Sequence, residues 1–224
     1  MISDEILRIT EQLPQGVRLV AVSKYHPVEA IREAYAVGQR LFGESHAQEI
    51  QRKHEELSAL DGLEWHFIGH LQTNKVKGIV PYVTLIHSVD SPRLLAEIHK
   101  QAVKVGRKQR CLLQLHVAQE ETKFGFSPSE AMDYLDKGEW RAFSGIQLAG
   151  VMAMATNTDN LHQIQQEFRC ARRFFEEARD RYFPDEKSSF CELSMGMSED
   201  WKIAVEEGAT LIRIGTQIFG ERQY

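Results

Sequence analysis

Two cations sit where aliphatic side chains are expected. In the run LVAVSK, Lys24 shares strand parity with Val20 and Val22, so its amine follows an apolar face. In LIRIGT, Arg213 stands two residues before Gly215 in a strand otherwise built of Leu and Ile. A cation among aliphatics is costly unless an acceptor is supplied. At any single strand end a solvated charge is the ordinary explanation. Two such cations, in the first and last strands of a series that closes on itself, become neighbours. A desolvated lysine beside another cation loses its proton more readily and becomes a Schiff-base nucleophile.

The turns near the end of the chain suit an anion. SMGMSED offers hydroxyls, the flexible Gly196 and backbone amides near Ser198, and RIGT offers Gly215 and Thr216. Phosphate in barrels frequently sits between the loops after strands seven and eight. Most Gly/Ser-rich turns are merely turns, and Glu199 and Asp200 would complement a helix start without any ligand. The reading gains weight because an amine, a phosphate cradle and an arginine fall on one rim. The histidines carry less. His66 and His70 of EWHFIGH are four residues apart on one strand, roughly 13 Å, too far to share a metal. His70, at a strand end, is a candidate pocket residue. His26, His46, His54, His87, His99, His116 and His162 show no ligand grouping.

The composition bounds the remaining choices. The 224 residues are 42% hydrophobic and 26% charged with a formal net charge of −5, an ordinary globular balance with no global case for nucleic acid or anionic membrane. Arg172, Arg173, Arg179 and Arg181 alternate with Glu176, Glu177 and Asp180, the pattern of a solvated helix face. Cys111, Cys170 and Cys191 are odd in number and widely spaced, which disfavours a disulfide framework or structural zinc. The first residues form an amphipathic helix rather than a secretory signal, and no apolar run is long enough to span a bilayer. A cytoplasmic protein with reduced thiols is expected.

The elements that must position these residues alternate along the chain. Strands are predicted at residues 18–24, 40–45, 64–70, 85–90, 110–118, 146–155, 190–196 and 211–219. Helices intervene, with Ser91-Pro92 and Ser127-Pro128 as start signals and Gly38, Gly106, Gly138 and Gly208 as stops. Eight strand–helix units in about 200 residues is the smallest size of a closed (β/α)8 barrel; an open doubly wound sheet is the alternative. There is no linker or composition break, so one domain over residues 1–224 is expected, with an extra helix at residues 3–13.

The same residues resemble the family of pyridoxal phosphate homeostasis proteins. The matching stretches are AVSKYHPVEAI, LFGESHAQEI, WHFIGHLQTNK, HSVDSPRL, TKFGF, GVMAMAT and LSMGMSEDWKIAVEEGATLIRIGTQIFGER, which together span nearly the whole chain. The resemblance implies a single TIM-type barrel similar to the N-terminal domain of alanine racemase, with pyridoxal 5′-phosphate held as an aldimine on Lys24. It implies Arg213 facing the pyridine nitrogen, Ser198, Gly215 and Thr216 around the phosphate, and Met154 covering the ring. Where the family has FGEN followed by an aromatic residue this chain has FGESH, so Ser45 stands in place of an asparagine expected near the cofactor.

An arginine opposite the pyridine nitrogen leaves the ring unprotonated and a poorer electron sink than one facing a carboxylate. Alanine racemase also draws a tyrosine from a second domain across its dimer. No segment of this chain matches that domain, so efficient turnover is not expected. The implied role is a non-catalytic monomer that binds, buffers or delivers the cofactor, with apo-enzymes as partners. Two other readings stay open: a racemase or lyase with Lys24 as base, and a barrel that binds a sugar phosphate through a Schiff base on Lys24.

Overall fold

The computed structural model describes residues 1–119 and 124–221. Thr122 and Lys123 of the TKFGF stretch, and Arg222 of the terminal IFGER, lie outside the described residues. Helix α1 (Ile2–Glu11) precedes the first strand, and the order then runs β1 (Arg18–Val22), α2 (Val28–Ala36), β2 (Leu41–Glu44), α3 (Ala47–Glu56), β3 (Glu64–Phe67). It continues through α4 (Val76–Ile79), β4 (Leu85–Val89), α5 (Pro92–Lys104), β5 (Gln109–Leu115), α6 (Pro128–Lys137) and β6 (Ile146–Ala153). The last elements are α7 (Leu161–Tyr182), β7 (Glu192–Ser194), α8 (Trp201–Glu206), β8 (Leu211–Ile214) and α9 (Thr216–Phe219). All eight strands pair in parallel and in order, and β8 closes on β1, with Val20 opposite Arg213. The expected (β/α)8 barrel is the fold.

Alternation along the strands separates two apolar layers. Val20, Leu85, Leu112, Ala149, Met152 and Leu211 fill the barrel, with Leu41 and Met154 against them. Residues of the opposite parity, such as Leu19, Ala21, Phe42, Phe67 and Ile212, pack outward against the helices. Each fully buried Leu, Ile or Phe contributes about 1.5–3 kcal/mol. Helix α7 shows how sequence sets orientation: Phe168, Ala171, Phe174, Phe175 and Ala178 are buried on its inner face, and the arginine-rich face turns to solvent. Among the start signals, Ser127 forms a capping box with Glu130, and Ser91 accepts from the Leu94 amide.

The strands are shorter than their apolar runs. The last one is corrected most: residues 211–219 were expected as a strand, but β8 ends at Ile214 and Thr216–Phe219 is helical. Gly215 turns the chain, its carbonyl accepts from both the Ile218 and Phe219 amides, and α9 then packs against α1. Ile218 is buried without continuing the sheet. Lys24 and Ser45 likewise lie just past β1 and β2 rather than within them.

Candidate functional site

The carboxyl ends of the strands meet on one rim, and Lys24 stands there, half-buried. Its turn is closed by the His26 amide donating to the Ser23 carbonyl at 3.1 Å. Arg213 is on the adjacent strand, paired at the level of Val20, so it lies deeper than Lys24. Two residues later, Gly215 follows it; a Cβ there would be 3.2 Å from the Val22 carbonyl oxygen, so a side chain would crowd the close approach of β8 to β1.

Arg213 is 4% exposed. One guanidinium nitrogen donates to Ser194 Oγ at 2.7 Å and the other to the Ala153 carbonyl at 3.1 Å. Among the described residues no carboxylate forms an ion pair with it. Burial lowers its pKa to about 10, opposed by the charge of Asp200, so it remains a cation at neutral pH. Met154 directly follows Ala153 and packs on the interior cluster beside it.

Behind Arg213 a polar column runs down the barrel. His87 Nδ1 lies 2.9 Å from Ser194 Oγ, and His87 Nε2 lies 2.9 Å from His66 Nδ1. Since Arg213 donates to Ser194 Oγ, the serine hydroxyl can donate to His87 Nδ1. In that arrangement the proton of neutral His87 sits on Nε2, from which it reaches His66 Nδ1. Burial, together with the charge of Arg18, lowers His66 to about 3. Burial, His66 and Arg213 hold His87 well below the ordinary imidazole range. Two residues before Ser194, Glu192 accepts from Arg18 at 2.5 and 2.6 Å and from Arg110 at 2.9 Å. Burial pulls its carboxyl upward, but the two guanidinium groups prevail and hold it below the usual range.

Ser198 is half-buried in the turn between β7 and α8. Asp200 Oδ1 accepts from the Met197 amide at 2.5 Å and braces that turn. Gly196 has φ +91°, and a Cβ there would come within 2.6 Å of Ala204 Cβ, so the loop lies on α8 only with glycine. The Gly196 carbonyl also accepts from the Arg213 amide at 2.9 Å, which joins this loop to β8. Thr216 is exposed at the start of α9. Ser45 is on the other side of Lys24 from Arg213, its Cα 2.7 Å from where a Cβ on Gly69 would be.

Lys24, Met154, the 196–198 turn and Gly215–Thr216 thus lie just past the ends of β1, β6, β7 and β8, with Ser45 past β2 and Arg213 deeper on β8. His70, past β3, has Nδ1 3.0 Å from Asp90 Oδ2 and stacks on Phe124 with ring centroids 4.0 Å apart. In the sequence alone, Ser194 reads only as one hydroxyl of the SMGMSED turn and His66 and His87 as ungrouped histidines; the column they form with Arg213 is missed. Their only signal is inward strand parity, and three strands distant in sequence must close before they touch. An open depression of about 740 Å³ lined by Tyr25, His26, His46, Glu49 and Arg52 adjoins the Lys24 turn. A groove of about 480 Å³ lined by Lys108, Trp140, Arg141 and Arg181 lies by the amino end of β6, away from this chemistry.

Fold and rim define a barrel of the alanine racemase N-terminal type. The sequence profile described as "Alanine racemase, N-terminal domain" matches residues 2–223. At the level of fold, alanine racemase of Clostridium difficile 630 superposes with a TM-score of 0.74 at 14% identity, covering 100% of this chain and 57% of that one. The chain belongs to the pyridoxal phosphate homeostasis protein family. The member from Aquifex aeolicus is 39% identical over 224 residues, 99% of this chain and 95% of that protein. PipY of Synechococcus elongatus PCC7942, solved with PLP bound, is 40% identical with a TM-score of 0.89, covering 98% of this chain and 100% of that chain.

Proposed function

We propose that this protein holds pyridoxal 5′-phosphate at the barrel rim through an imine to Lys24 and releases it to apo-enzymes, as a cytoplasmic monomer without sustained turnover of its own. The observation that carries the reading is Arg213. A buried guanidinium with no carboxylate ion pair among the described residues is expensive to maintain, and its charge suits a ligand that brings an acceptor. A pyridine nitrogen is such an acceptor, and the relatives' names make it the chemistry to test. When bound, the cofactor supplies an aldehyde and an aromatic ring conjugated to it.

The chain's own residues supply the rest. Arg213 can only donate, and Ser194 and the Ala153 carbonyl fix its plane. Met154 offers an apolar surface for a ring, while Ser198, Gly215 and Thr216 offer a hydroxyl-bearing and backbone-amide lining for the phosphate. Ser45 borders the Lys24 side. With a donor rather than a carboxylate at the ring nitrogen, the site is built to retain the cofactor rather than to withdraw electrons through it. On loading, the protein should develop an absorption band near ~420 nm that borohydride bleaches, leaving one pyridoxyl group per chain. The loaded form should then reactivate an apo-transaminase. A protein that gains no band, or that never yields its cofactor to the acceptor, would sink the reading.

The phosphate lining makes a separate prediction. Ser198→Ala removes a hydroxyl donor to an anion, a loss of roughly 1.5–3 kcal/mol. Affinity for pyridoxal phosphate should fall roughly ten- to hundredfold, while that for unphosphorylated pyridoxal stays nearly unchanged. Equal losses for both ligands in a titration would place the phosphate elsewhere.

A further inference from the structure

The residues on both sides of Lys24 are tied to one buried ion cluster. On the near side, Ser23 Oγ donates to Glu44 Oε1 at 2.7 Å, and the Ser23 carbonyl accepts from Lys53 Nζ at 2.7 Å. On the far side, the Tyr25 amide donates to Glu49 Oε1 at 2.7 Å. Lys53 joins the two halves, donating to Glu44 Oε1 at 2.7 Å and Glu49 Oε1 at 2.8 Å. Its three ammonium donors are thereby used. The Lys53 and Glu44 side chains are 0% exposed, and Glu49 is 16% exposed.

Three features say that this cluster is more than a core ion pair. Glu44 shares parity with Phe42, which packs in the outer layer, whereas Leu41 faces the barrel interior. The cluster thus stands between the barrel wall and α3, behind the rim. Tyr25 has φ +67° and is the only non-glycine with positive φ among the described residues. That left-handed conformation is unfavourable for a residue with a Cβ, so the turn is held in a shape it would not choose unaided. Finally, a buried ion pair is weak as a source of stability, since apolar residues of like volume commonly do as well. What it supplies is direction, because each hydrogen bond fixes an angle as well as a distance.

We propose that Glu44, Lys53 and Glu49 are positioning residues that aim Lys24 by clamping Ser23 and Tyr25, its two chain neighbours, to α3. This rests on Lys24 being the point of attachment. In the clamp, Glu44 and Lys53 set the end of β1, and Glu49 holds the left-handed turn from the helix side.

The test uses the full-length protein in two variants. Glu44→Leu/Lys53→Met replaces both fully buried charges with apolar groups of similar size, and Glu49→Ala removes only the acceptor of the Tyr25 amide. Thermal midpoints establish that each is folded. Two readouts follow: hydrogen exchange of the 23–25 amides in cofactor-free protein, and the rate at which pyridoxal phosphate loads. The clamp predicts exchange at least about tenfold faster in that turn with the other strands unchanged, and loading at least about tenfold slower. Glu49→Gln, which keeps an acceptor for Tyr25, should restore both. A folded variant whose turn exchanges and loads like the wild type would overturn the proposal. If the double variant does not fold, Glu49→Ala decides by the same measurements. Should the wild type itself take up no pyridoxal phosphate, the proposed function fails, while the exchange data still judge the clamp.

Discussion

Lys24→Ala is expected to abolish the covalent link completely while leaving the barrel folded. Lys24 lies in a turn beyond β1 and is half-buried, so trimming it removes little packing. The proposed phosphate-binding turn and Arg213 persist, so residual non-covalent binding should remain, weakened by more than about tenfold, or ~1.4 kcal/mol. Borohydride treatment should leave no pyridoxyl group on the variant, whereas the wild type should carry it on the peptide containing Lys24. Among the other lysines, Lys53 is excluded by geometry, since its amine is fully buried and engaged with three acceptors. Lys75 is exposed and is the useful control. A band that survives in Lys24→Ala, with the label on Lys75 or Lys123, would remove Lys24 from its assigned role.

Lys24 and Arg213 stand out in the sequence because each breaks a local rule: a charge within or just past an otherwise apolar strand. The order of strands and helices was legible for a similar reason, because hydrophobic period and capping residues act over a few positions. The polar column was not. Ser194, His87 and His66 obey no local rule that marks them, and their partners lie on β7, β4 and β3. Lys53 shows the same limit from the other side. On α3 it reads as one charge in a polar helix, and only the closing of β1 and β2 against that helix buries it. Strand ends fall between these cases. Ile218 and Phe219 look like more strand, but a helical turn buries Ile218 equally well, and Gly215 decides between them.

The buried histidine pair should make the barrel acid-sensitive in a window set by histidine rather than by carboxylates. The folded His66 pKa is lowered from 6.5 to about 3. Below pH 6.5 the unfolded chain therefore takes up a proton that the folded chain refuses, and stability is lost as pH falls towards 3. Two pH units below the unfolded value, at about pH 4.5, the loss is about 3 kcal/mol for His66 alone. Other groups act in the same range. His87 is also lowered and adds a loss of the same sign. Glu44 acts oppositely: burial raises it to about 7 against the pull of Lys53, so protonation favours the folded state as pH falls from 7 to 4.5. The total curve mixes these terms, and the difference between two proteins isolates one. His66→Asn keeps a neutral hydrogen-bonding group that does not titrate, and the Glu44 and His87 terms largely cancel in the comparison. Urea unfolding near pH 7 and near pH 4.5 should show the wild type losing about 3 kcal/mol relative to His66→Asn. Parallel losses in both proteins would mean that His66 is not held neutral. The same protonation would break the chain that fixes Ser194 and put a second charge near Arg213. In the folded protein that protonation waits until near pH 3, so retention of the cofactor by the wild type should weaken there.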